Sequence, residues 1–153
     1  MGKHQFVTHE VIDGINVVTF SQSLLHAEAM DEVHTIYNSL LPEKLVLDFD
    51  SVRQLDGVQG ALGGHLLRLH KQTRHDGQQL AVCGLHASLV EIFHDLLLDV
   101  TLEVYSTVDL ALTAMRDGTH GCERLTVKDR CRVAVIAFAF WAIFTALFGL
   151  IFA

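Results

Sequence analysis

Between Ser51 and Thr73 the chain has no serine or threonine, and over its 153 residues it has one proline, one tryptophan and three cysteines. Each shortage excludes something. Cys83, Cys122 and Cys131 form no Cys-x-x-Cys unit and cannot all pair with one another, so neither a disulfide framework nor a cysteine-built metal site is expected. Cys83 stands in an apolar run and reads as a buried free thiol, which suits a reducing compartment. Positive charge is also short: residues 1–116 hold seven Lys/Arg against fifteen Asp/Glu. A domain with that excess of acid repels phosphate backbones, so no nucleic-acid partner is expected. The start of the chain, Met1-Gly2-Lys3-His4-Gln5-Phe6, lacks the apolar core of a secretion signal. It also lacks the Ser or Thr that a myristoylation site would carry at position 6.

Long apolar runs are missing from the first 132 residues, and then one occurs. From Val133 to Ala153 there is no charge, and only Thr145 and Gly149 fall outside the apolar and aromatic set. At about 1.5 Å per residue such a helix covers roughly 30 Å, the thickness of a bilayer's hydrocarbon layer. A core able to surround it would need more chain than is present. Arg124, Lys128, Arg130 and Arg132 precede the run and nothing charged follows it. The expectation is a single-pass, tail-anchored membrane protein whose N-terminal domain stays in the cytoplasm. Ala139, Ala142, Ala146 and Gly149 put small residues on one stripe of this helix, which fits either a homodimer contact or the ordinary composition of membrane helices. The division expected is a domain over 1–116, a juxtamembrane linker over 117–132 and a transmembrane helix over 133–153.

Within the domain, β-branched residues flank Asp13-Gly14 and predict a hairpin, Val7–Ile12 with Ile15–Phe20. Met30, Val33, Ile36, Tyr37 and Leu40 recur at helical spacing and predict a helix over Ala27–Leu40, stopped by Pro42. Leu45-Val46-Leu47 is a buried-strand run. A second helix has its best part at Leu62–Thr73 and ends at Asp76-Gly77; Gly63 and Gly64 inside it point to close packing or to a later start. Then follow a strand at Leu80–Cys83, a helix Ala87–Leu97, a strand near Leu102–Tyr105 and a helix Val108–Arg116. The order ββαβαβαβα predicts an α/β fold with a mainly parallel central sheet flanked by helices, plus one C-terminal transmembrane helix.

The segments Leu45–Val52, Leu55-Asp56, Asp76–Leu85, Leu89–Phe93 and Val104–Leu112, in this order, resemble the STAS domain of bacterial anti-sigma-factor antagonists, over about Phe6 to Met115. The resemblance implies a STAS-like fold and a protein partner, an anti-sigma factor that is also a kinase or else a membrane transport protein. It implies docking through the loop after the third strand and the helix that follows. In that family the loop reads Asp-Ser-Ser-Gly, and a phosphate on a serine at the helix N-terminus switches binding off by adding charge to a packed interface. Here the matching loop is Asp56-Gly57-Val58-Gln59-Gly60, and the missing hydroxyls exclude a serine switch at that place. Asp56 is expected to cap the helix.

Chemistry of other kinds finds little support. His65, His70 and His75 recur every five residues, so their rings do not share a helix face, and no metal site is expected. The glycines at 57, 60, 63 and 64 lack the Gly-Lys-Ser/Thr of a phosphate loop, and no Gly-x-Ser-x-Gly occurs. Arg68, Lys71 and Arg74 make a basic stripe that reads as a solvated face or as a contact for an acidic partner or anionic lipid. The expectation is therefore a membrane-tethered STAS-type interaction module, not an enzyme, with no cofactor, using Asp56, Gly57, Val58, Gln59, Gly60 and Arg68. A small-molecule sensor for a nucleotide or lipid, and an accessory subunit of a membrane lipid-transport complex, are the alternatives.

Overall fold

Asp13 and Gly14 both take positive φ, 50° and 79°, and this two-residue turn folds β1 (Val7–Ile12) back on β2 (Ile15–Phe20) with Ile12 opposite Ile15. The computed structural model describes residues 6–56 and 59–118. After β2 come β3 (Leu24–Leu25), α1 (Ala27–Leu40), β4 (Lys44–Asp48), β5 (Gln54–Leu55), α2 (Gln59–His75), β6 (Gln79–Cys83), α3 (Ala87–Asp95), α4 (Leu98–Thr101), β7 (Glu103–Tyr105) and α5 (Val108–Asp117).

The five-stranded sheet runs β1-β2-β4-β6-β7, antiparallel at β1–β2 and parallel elsewhere. Alternation along each strand divides the core. Val18, Phe20, Leu45, Leu47, Leu80 and Val82 face the side covered by α1 to α4, whereas Val17, Val46, Ala81 and Cys83 meet Ala111, Leu112 and Met115 of α5. Phe49 is buried between Phe20, at 4.5 Å between ring centroids, and Phe93, at 6.1 Å, and so fixes the exit of β4 against α3.

The expected hairpin, α1 and the three parallel strands are present, with differences that have physical causes. The helix expected over Ala87–Leu97 stops at Asp95: Leu97 turns left-handed, at φ 55°, and α4 starts at Leu98. Three successive leucines cannot share one helix face, and the break buries Leu98 while leaving Leu97 62% exposed. His94 Nδ1, 3.1 Å from Asp99 Oδ2, closes the break. The helix expected over Leu62–Thr73 extends at both ends, to Gln59 and His75. Gly63 sits inside it because a Cβ there would lie 3.0 Å from Leu96 Cδ1; at Gly64 nothing approaches.

The order ββαβαβαβα also omits α4 and a second sheet, the parallel pair β3–β5, in which Leu24 faces Gln54 and Leu25 faces Leu55. The amides of Arg53 and Gln54 donate to Ser23 O, and that of Asp56 to Leu25 O. Among the described residues no helix is long and apolar enough to cross a membrane. The expected linker from Thr119 onward and the expected span Val133–Ala153, with Ala139, Ala142, Ala146 and Gly149, lie outside the described residues.

Candidate functional site

The C-terminal ends of the parallel strands carry the loops of interest, and the buried Asp48 holds them together. Its carboxylate accepts from the Asp50 amide at 3.0 Å and from Thr19 Oγ1 at 3.4 Å. Gly84, at φ +69°, passes so close that a Cβ would fall 2.7 Å from both Asp48 Oδ1 and Asp50 N. Cys83 is buried beside them, and burial, with the Asp48 carboxylate second, pushes its thiol well above the usual range. The buried free thiol expected at Cys83 is present.

From this base Arg53 leads into β5, and Asp56 follows β5 as His26 follows β3. Parallel pairing brings these two residues side by side: His26 Nδ1 lies 2.7 Å from Asp56 Oδ2. The Phe6 ring flanks His26 at 5.9 Å. A cleft of about 20 Å³, room for one water, opens beside the pair between Leu25, Leu55, Leu62 and His65. The expected capping of α2 by Asp56 turns on 57 and 58, which lie outside the described residues; the carboxylate itself is held by His26.

Of the residues singled out from the sequence, Gly57 and Val58 lie outside the described residues, and Gln59 and Gly60 form the first turn of α2. Arg68 lies nine residues further on, about 14 Å along the helix. The structure therefore separates Arg68 from Asp56. Arg68 is exposed, with Lys71 and Arg74 on the same helix, and none of the three forms an ion pair among the described residues.

Beside Arg68 the α1–α2 seam holds two imidazoles that sequence reasoning missed as a pair, His34 and His65, with ring centroids 5.6 Å apart. Burial first, then the charges of His65 and Arg68, lower the His34 pKa from its ordinary 6.5, and His34 Nε2 is buried with no partner among the described residues. One turn on, Gln72 Nε2 donates to Asn38 Oδ1 at 2.8 Å. The contacts Asp56–His26 and Gln72–Asn38 thus lie on either side of the histidine pair along the α1–α2 seam. The helical stripe Met30, His34, Asn38 was visible in the sequence, but its facing partner was not.

Among the described residues no group of three or more His, Cys, Asp or Glu is placed to hold a metal ion. Among the described residues the three crossovers within the five-stranded sheet, through α1, α2 and α3–α4, lie on one face, so that sheet has no topological switch point of the kind that opens a ligand crevice at strand C-termini.

Among the described residues the sheet carries four helices on one face and one on the other, the architecture of a small α/β domain. Residues 6–111 match the STAS domain, and the chain belongs to that family. STAS domains are generally regulatory binding modules and not enzymes. Solved structures agree on the fold. An anti-sigma factor antagonist from Mycobacterium paratuberculosis is 22% identical, with a TM-score of 0.62 over 75% of this chain and 97% of that one. A STAS domain protein from Planctomyces limnophilus is 21% identical, with a TM-score of 0.59 over 71% and 96%. The chain also matches 24% of the length of SLC26A9, at 16% identity and a TM-score of 0.50 over 74% of this chain. No curated protein matches.

Proposed function

We propose that this chain is a STAS-type docking module, resembling the anti-sigma-factor antagonists, that binds a regulatory or transport protein through the Asp56 loop and the exposed face of α2 and is carried on a membrane by residues 133–153. The observation that carries this reading is the family match over residues 6–111. Arg68, Lys71 and Arg74, exposed cations without an ion pair among the described residues of an otherwise acidic domain, support a partner that brings negative charge. The charge-free run after Arg132 supports membrane tethering with the domain on the cytoplasmic side, and tethering raises the local concentration of membrane-bound partners. Residues 52–72 contain no serine or threonine, so partner binding is not switched by a phosphoserine at the start of α2.

The test is co-purification from detergent-solubilised membranes with the full chain and with Arg68→Glu. The expected result is a partner protein whose recovery falls about tenfold in the variant, the usual size of a lost charge contact in an interface. Equal recovery of the same proteins by both chains, or recovery of none, contradicts the reading.

A small-molecule sensor is the second reading, and one observation favours it. An opening of about 380 Å³ lies between the end of α2 and the starts of β6 and β7, lined by His70, Arg74, Gln79 and Glu103. It is at the opposite end of the strands from Asp56. A metabolite that occupies it would raise the melting temperature in step with its concentration.

A further inference from the structure

We infer that His26 is a phosphoryl-acceptor site, with Nε2 as the nucleophile and Asp56 as its positioning residue. A carboxylate can only accept at the 2.7 Å contact, so Nδ1 carries the ring proton and the lone pair of the neutral imidazole stands on Nε2. This is the arrangement that orients a histidine for nucleophilic work: one nitrogen pinned, the other free to attack. The His26 side chain is 30% exposed, so an incoming group can reach it, while Asp56 and the Phe6 ring limit its rotation.

The charge balance favours a phosphoryl group. When the Nε2 lone pair attacks phosphorus in a phosphoramidate-type donor, an N–P bond forms and the donor's P–N bond breaks. Ammonia leaves, and the ring, still protonated at Nδ1, becomes a phosphoimidazolium. Its positive ring lies against the Asp56 carboxylate. An acyl group on the same nitrogen is lost to water, whereas a phosphoryl group is retained at neutral and alkaline pH. His26 also directly precedes α1, whose first turn has no side-chain cap, so the positive end of that helix adjoins the added phosphate; Glu28 in the same turn opposes it.

The other His–Asp contact differs in kind. His94 and Asp99 are five residues apart and close the α3–α4 break, a local staple within one stretch of chain. His26 and Asp56 are thirty residues apart and meet only because β3 and β5 pair.

The chemistry does not depend on the docking role, so its test uses the purified full chain with no partner. Treatment with phosphoramidate, followed by peptide mapping under alkaline conditions and by phosphorus NMR, reads the rate at each histidine. His75 is exposed and serves as the reference within the same molecule. The expected result is Nε2 modification of His26 about tenfold faster than of His75, the size of effect expected from a charge-assisted hydrogen bond, with Asp56→Asn bringing it down to the His75 rate. A His26 rate no greater than that of His75 in the unaltered chain overturns the inference, and so does a fast His26 unaffected by Asp56→Asn.

Discussion

Among the described residues, His34 and His70 are two through which pH acts on this fold. Burial is the first cause lowering both pKa values from 6.5, with nearby cations adding to it. The sign follows from linkage. The unfolded chain takes up protons near its ordinary histidine pKa while the folded one does so only at lower pH, so this contribution is complete above the unfolded pKa and is lost as pH falls toward the folded one. The urea midpoint should therefore drop between about pH 7.5 and about pH 5.5, and His34→Gln should narrow the drop. An unchanged difference in the variant would remove His34 from the account. Gly84 is the second sensitive position. Its positive φ penalises any side chain, and a Cβ would strike Asp48 and the Asp50 backbone. Gly84→Ala should cost roughly 3 kcal/mol by urea denaturation, against about 1 kcal/mol for Gly14→Ala, where φ is positive but the space is open.

Elements show how far pattern alone carries. The bounds of α1 were legible because five apolar residues at helical spacing end in Leu41-Pro42, and the left-handed Leu41 donates its amide to Tyr37 O. Two-residue strands have no period to read, so β3 and β5 stayed hidden, and with them the meeting of His26 and Asp56. That pairing is set by long-range register and by no local signal. In α2 the two adjacent glycines look alike in sequence and differ in space. Gly64→Ala should raise stability by about 0.5–1 kcal/mol, the usual helix-interior gain. Gly63→Ala should give less or reverse the sign, because Leu96 must move. Equal gains at both would mean that α2 does not pack against Leu96 as described.

For the whole molecule, the order of the parallel strands and their helices was legible from alternating apolar runs, and the family from segments spread along the same length. The distribution of helices, four on one face and one on the other, was not, since periodicity says that a strand is buried on both sides but not what covers it. The candidate site was legible only at Asp56 and in the exposed cations of α2; the imidazoles between them are a product of packing. What joins the domain to its proposed setting is the partitioning of residues 133–153, and one fractionation reads it directly. Membranes from cells making the full chain, washed with alkaline carbonate, should keep the protein in the pellet, while a chain ending at Gly118 stays in the supernatant. Recovery of the full chain in the carbonate supernatant would contradict the tethered-module account.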